Sequence, residues 1–143
     1  MAGIVLVRDV MSKDVRVVRP DSSVKEVVAT MNKFNIGSII VVQSARPVGI
    51  ITERDILRRI VEPCLAPEVL TARQIMSSPV LTISETASID EAAELMAKRK
   101  IKKLPVMSRQ KLVGIVTLTD IVTKVPTMLS LLEELVRPYH RAY

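Results

Sequence analysis

Tryptophan is absent from this sequence, and one phenylalanine and two tyrosines supply all of its aromatic surface. Single-stranded bases therefore have few rings on which to stack. Cysteine is as scarce. Cys64 alone can form no internal disulfide, and no paired-cysteine metal spacing exists. The single histidine, His140, leaves most histidine-based nucleophilic, general-base and zinc chemistry without its side chain, so no metal site is expected. Long apolar runs are missing too. Hydrophobic residues make up 48% of the chain, but no run approaches the roughly 18 residues needed to cross a bilayer. Met1-Ala2-Gly3-Ile4-Val5-Leu6-Val7 is too short for a signal peptide and meets Arg8-Asp9 at once. These absences predict a cytoplasmic protein without a membrane partner. The groups left for chemistry are carboxylates, Lys102, Lys103 and Cys64, with no paired acid–base set among them, so catalysis is not expected.

Charge is the first positive signal. Twenty-one Lys and Arg against 15 Asp and Glu give a net charge of +6. One reading is a solvated surface rich in both signs, as in heat-adapted proteins. The other is an anionic partner: nucleotide phosphates, nucleic acid or a lipid surface. The scarcity of rings weights the second reading toward small anions. A chain of 143 residues buries about two-thirds of its unfolded surface and needs no covalent staples.

The chain is built on an internal repeat. Val48-Gly49-Ile50-Ile51-Thr52-Glu53-Arg54-Asp55-Ile56 is echoed by Val113-Gly114-Ile115-Val116-Thr117-Leu118-Thr119-Asp120-Ile121. Each copy reads as a buried strand running into a helix, with Thr at the cap and Asp inside the first turn. The rest falls into the same register. Val15, Val17 and Val18 suggest a strand closed by Pro20. Ser23-Val24-Lys25-Glu26 is a capping box opening a helix with Val24, Val27, Val28 and Met31 at helical spacing, and Ile36-Gly37-Ser38 ends it. Ile39 to Val42 is a β-branched run that fits a central strand, and Ser44-Ala45-Arg46-Pro47 a turn. Ile56, Leu57, Ile60 and Val61 line one side of the closing helix.

Glu62-Pro63-Cys64-Leu65-Ala66-Pro67 breaks that helix, and the series begins again. Gln74-Ile75-Met76-Ser77 matches Asp9-Val10-Met11-Ser12. Ser88-Ile89-Asp90-Glu91 matches the capping box, Met96 matches Met31, and Ile101 matches Ile36. Each unit is therefore strand, helix, strand, strand, helix. The predicted boundaries are 8–62 and 73–124, with a linker at 63–72 and a helical tail at 125–143. In the tail, Pro126 breaks the chain, Thr127 caps, and Met128, Leu131, Leu132, Leu135 and Val136 form an apolar stripe stopped by Pro138. Such a stripe fits core or subunit contact.

Two tandem units, each closing on Gly-apolar-x-Thr-x-x-Asp, resemble a pair of CBS domains (named for cystathionine β-synthase). The motifs are Gly49-Ile50-Ile51-Thr52-Glu53-Arg54-Asp55 and Gly114-Ile115-Val116-Thr117-Leu118-Thr119-Asp120, with Val10-Met11, Ile75-Met76 and Ile101-Lys102-Lys103-Leu104-Pro105-Val106 in support. The resemblance covers residues 8 to 123. It implies an α/β (α+β) fold of two β-α-β-β-α units related by a pseudo-twofold, with two clefts between them. It also implies a sensor that binds AMP, ADP, ATP or S-adenosylmethionine and reports occupancy to a regulated protein. Isolated pairs of this kind often associate into disc-shaped homodimers.

Thr-x-x-Asp by itself is also a capping box. In the repeat the two readings coexist: Thr52 and Thr117 cap, while Asp55 and Asp120 offer two oxygens to a ribose diol. The amides of the same turn suit a phosphate. By the family's pattern the first set is Thr52, Arg54 and Asp55 with Met76, Val80, Ile101, Lys102 and Lys103. The second is Thr117, Thr119 and Asp120 with Met11, Lys13, Val15, Ile36, Gly37 and Ser38. Lys102, Lys103 and Arg54 in the first, against Gly37, Ser38 and Thr119 in the second, favour tighter phosphate binding by the Asp55 set. Plainer readings stand beside these: Met11 and Met76 as core, Gly49 and Gly114 as strand geometry, and the lysine run as a solvated helix end. A nucleic-acid-binding protein using the basic surface is the alternative function.

Overall fold

The computed structural model describes residues 3–136, so the expectations resting on Pro138 and His140 lie outside the described residues. The chain runs α1 (Val7–Val10), β1 (Val17–Val18), α2 (Val24–Lys33), β2 (Ser38–Gln43), β3 (Arg46–Thr52) and α3 (Glu53–Ile56), which continues as a π-helical turn over Leu57–Val61. After the linker come α4 (Ala72–Ile75), β4 (Ile83–Ser84), α5 (Ile89–Arg99), β5 (Lys103–Ser108), β6 (Lys111–Thr117) and α6 (Leu118–Lys124). A 3₁₀ turn at Pro126–Met128 leads into α7 (Leu129–Val136).

Two compact units result: a contiguous one, Arg16–Val80, and a split one, joining residues up to Val15 with those from Leu81 onward. The contiguous unit holds a three-stranded sheet in the order β1-β2-β3, with β1 parallel and β3 antiparallel to β2. The split unit repeats that order in β4-β5-β6, pairing for pairing. In both hairpins the register slips by one residue, between Val41 and Val42 and between Val106 and Met107. Both are closed by two-residue turns with positive φ, at Ser44-Ala45 and Arg109-Gln110, the twist that suits antiparallel strands.

The helices follow from their caps. Ser23 and Ser88 accept the amides of Glu26 and Glu91, each at 3.1 Å. Neither α2 nor α5 needs glycine to stop. Asn35 and Lys100 take left-handed φ values of 52° and 55°, and the next amides, Ile36 and Ile101, bond back to the carbonyls of Met31 and Met96. This six-to-one closure satisfies carbonyls that would otherwise be orphaned.

Each unit closes its own core. In the contiguous unit Val24, Val27 and Met31 of α2 meet Ile39, Val41 and Ile51 of the sheet, with Ala72 and Ile75 of α4 completing the cluster. In the split unit Ala92, Ala93 and Met96 meet Leu104, Val106 and Val116, with Val7 and Val10 of α1 in the corresponding place. The lead-in is therefore a short helix where the sequence suggested only an apolar segment. Two further expectations are corrected. The first strand is limited to Val17–Val18, with Val15 outside it. Of the apolar side of the closing helix only Ile60 is buried, while the π-helical turn leaves Leu57 and Val61 59% and 57% exposed.

The apolar stripe of the tail divides. Leu132 and Leu135 enter the split unit's core and Met128 and Val136 pack half-buried against it, whereas Leu131 stays exposed. Because Leu132 has no exposed surface, Leu132→Ala should lower unfolding free energy by about 2–5 kcal/mol in urea denaturation. A change below about 1 kcal/mol would mean that α7 does not pack as described.

Candidate functional site

β3 ends in Thr52, whose extended backbone (φ −109°, ψ 166°) turns the chain into α3. Its hydroxyl oxygen accepts the Asp55 amide at 3.2 Å. Asp55 answers: Oδ2 accepts the Thr52 amide at 2.9 Å and the Thr52 hydroxyl at 3.2 Å. Asp55 Oδ1 accepts the hydroxyl of Ser77 at 3.2 Å. Asp55 is 9% exposed and is the one charged side chain classed as buried among the described residues. Burial of a carboxylate is tolerable here because three donors converge on it.

Ser77 arrives through a backbone clasp. Ile50 and Ser77 exchange both amide-to-carbonyl bonds, at 3.0 and 2.9 Å. Just before it, Met76 lies across Gly49. A β-carbon on Gly49 would stand 2.6 Å from Met76 Cγ and closer still to its sulfur. Arg59 Nη1 then donates to the carbonyls of Ile75 and Met76, at 2.7 and 2.9 Å, pinning the end of α4.

The split unit copies the frame with a difference. Ser12 and Ile115 exchange the same two bonds, both 2.9 Å. Met11 lies across Gly114, where a β-carbon would meet the Ser12 carbonyl oxygen at 2.8 Å. Lys124, at the position matching Arg59, donates to the Val10 carbonyl at 2.9 Å. Thr117 Oγ1 accepts the Asp120 amide at 3.0 Å, and Asp120 Oδ2 accepts the Thr117 amide at 3.3 Å. Ser12 does not reach across. Its hydroxyl oxygen instead accepts the Asp14 amide at 3.3 Å. Asp120 is half-buried, and its Oδ1 takes no hydrogen bond from the described residues.

The contiguous unit gathers Thr52, Arg54, Asp55, Met76 and Val80 from the first expected set, and Ile36, Gly37 and Ser38 from the second. The split unit gathers Thr117, Thr119, Asp120, Met11, Lys13 and Val15 with Ile101, Lys102 and Lys103. Within each unit the second-strand residues adjoin the Asp turn. The Glu53 amide bonds to the Gly37 carbonyl at 3.1 Å, and the Leu118 amide to the Lys102 carbonyl at 2.7 Å. Ser38 pairs with Thr52 and Lys103 with Thr117. Arg54, Thr119 and Lys13 are exposed. Met76 and Met11 each pack against their unit's core, which answers the core reading of both. Gly49 and Gly114 admit the methionines. Sequence reasoning missed Ser77 and Arg59. The match of Ser77 to Ser12 was visible, but a hydroxyl reaching a distant carboxylate leaves no periodic trace.

The fold and these twin Thr-x-x-Asp turns are those of a tandem CBS-domain protein. The chain belongs to the CBS domain family, whose model matches residues 7–62 and again residues 72–127. It is 37% identical over 132 residues to an uncharacterized protein of Methanopyrus kandleri, covering 91% of this chain and 67% of that one. A solved structure of a putative acetoin utilization protein from Vibrio cholerae superposes with a TM-score of 0.78 at 28% identity, covering 92% of this chain and 98% of that one. Inosine-5'-monophosphate dehydrogenase of Aquifex aeolicus matches 75% of this chain at 34% identity, but the match takes in 22% of that enzyme.

The two carboxylates should differ in what they hold together. Asp55→Ala strands the Ser77 hydroxyl and the Thr52 amide in a partly buried place, at up to about 1–3 kcal/mol each. Asp120→Ala removes one cap bond, worth about 0.5–2 kcal/mol. Chemical denaturation should rank Asp55→Ala as the more damaging; the reverse order would contradict the bonding described.

Proposed function

We propose that this chain is a regulatory sensor that binds an adenine nucleotide at its Asp-bearing turns and signals occupancy to a partner protein, without catalysis of its own. AMP, ADP or ATP is the expected ligand and S-adenosylmethionine the alternative. The observation that carries the reading is the uncommitted Oδ1 of Asp120, beside a capped turn. A vicinal diol can donate to that oxygen without breaking any bond already made. At Asp55 three of about four acceptor positions are already taken, so a diol donating to both oxygens must displace a bond already made. Hydrogen bonding thus supports Asp120 as the first ribose acceptor, whereas the distribution of cations in sequence favours the Asp55 set for phosphate. Family membership supports the regulatory role, and the small share of the dehydrogenase that this chain matches fits a module separable from catalysis. Signalling requires that ligand favour one conformation of the chain over another, since a ligand indifferent to both shifts nothing. Assembly as a homodimer belongs to the same proposal.

Calorimetric titration with AMP, ADP, ATP and S-adenosylmethionine tests it. One of them should bind in the micromolar range, and Asp120→Ala should weaken that ligand by roughly ten- to a hundredfold, the value of a charge-assisted pair of bonds. Equal affinity in Asp55→Ala and Asp120→Ala variants and the parent would end the proposal. Absence of any nucleotide binding, with a steep loss of DNA or RNA affinity on adding salt, would replace it by nucleic-acid binding.

A further inference from the structure

The contiguous unit carries a concavity of about 500 Å³ lined by Arg19, Gln43, Ser44 and Arg73, among others. It lies away from the Asp55 turn. Gln43 ends β2 and Ser44 begins the hairpin turn, whereas Ser38, at the other end of β2, is the residue paired with Thr52. Six residues of strand separate the two ends by roughly 17 Å at about 3.3 Å per residue.

Two arginines, Arg19 and Arg73, line the concavity against one carboxylate, Asp21. Arg73 Nη2 donates to Gln43 Oε1 at 3.3 Å, and no carboxylate pairs with Arg73 among the described residues. A neutral amide leaves the guanidinium charge uncompensated. Arg19 has only Asp21, at 3.6 Å, with both side chains about four-fifths exposed, a pairing that contributes little. The backbone holds the two arginines in register. The Arg73 amide donates to the Pro20 carbonyl at 3.0 Å, the Ala72 amide to the Ser22 carbonyl at 2.8 Å, and the Arg19 amide to the Ser22 hydroxyl at 3.1 Å. The fold does not require Arg19 or Gln43, whereas Arg73 is matched by Arg8 in the other repeat. At the matching positions of the other repeat, Ser84 stands for Arg19 and Ser108 for Gln43, yet the strands pair identically.

We propose that this concavity is a second ligand site, taking a phosphate monoester small enough to fit it, with Arg73 and Arg19 as the anion-binding groups and Gln43 orienting Arg73. A guanidinium presents paired N–H donors to phosphate oxygens, and two of them match a dianion better than a single carboxylate. The volume suits a metabolite-sized ligand. The site is independent of the nucleotide reading, since none of its residues belongs to either Asp turn.

Amide-resolved NMR titration of the whole chain with inorganic phosphate, and with acetate as the monoanionic comparison, tests the proposal. Phosphate should shift the amides of Arg19, Gln43, Ser44 and Arg73 saturably, and acetate should do so at least tenfold more weakly. Arg73→Gln should reduce phosphate affinity at least tenfold and Arg73→Lys less, while Asp55→Ala and Asp120→Ala leave it unchanged. Equal phosphate affinity in Arg73→Gln and the parent, or shifts confined to other amides, would overturn it. A phosphorylated sugar that binds more tightly than inorganic phosphate at these amides would identify the rest of the ligand as a contributor; one that binds elsewhere would count against the site.

Discussion

Each unit depends on a methionine lying across a glycine. Met76 on Gly49 and Met11 on Gly114 occupy space that any side chain on the strand would fill, and interiors packed to native density do not make such room cheaply. The contact seats the segment that follows, so that Ser77 clasps Ile50 and Ser12 clasps Ile115. From that clasp Ser77 reaches the carboxylate of Asp55. Remove the glycine's open face and the short helix, the clasp and the carboxylate lose their common reference. Arg59 and Lys124 secure the same joint from the other side, through carbonyls at the ends of α4 and α1.

The repeats share this frame and diverge on its surface. Asp55 is enclosed by donors, whereas Asp120 keeps one oxygen for something else. Glu53 opens α3 with its carboxylate 3.0 Å from where a Gly37 β-carbon would be, while its counterpart Leu118 is buried. Duplication supplies two equivalent scaffolds, and a different direction of one serine hydroxyl, with substitutions such as Glu53 against Leu118, makes them chemically unequal.

Most of the secondary structure was legible because it rests on local rules. The capping serines, the β-branched runs of β2 and the Thr-x-x-Asp turns announce themselves by spacing, and the repeat checks each against its twin. What was hidden depends on distance along the chain. The π-helical turn after Ile56 has no pattern distinct from an α-helix, so the apolar residues Leu57 and Val61 read as buried when they are exposed. Ser77 and Arg59 act on residues 22 and 16 positions away, beyond any periodicity. The lead-in read only as an apolar segment because a four-residue helix is too short to show a period. The pairing of Thr with Asp was clear; the number of donors on each Asp was not, since it depends on whether a neighbouring hydroxyl points in or out.

The division of the chain bears on how it is made. Arg16–Val80 is contiguous, so every residue of that unit has been synthesised once Val80 emerges. The other unit needs α1, made before the contiguous unit, to wait for α5, β6 and α6, made after it. Until then Val7 and Val10 have no core to enter. Closing so long a loop adds entropy only slowly with length, and a central unit already folded shortens the span to be searched. Val7 and Val10 are thus buried only after the segment that follows Val80 has been made, and the stretches before Arg16 and after Val80 become partners only when both exist.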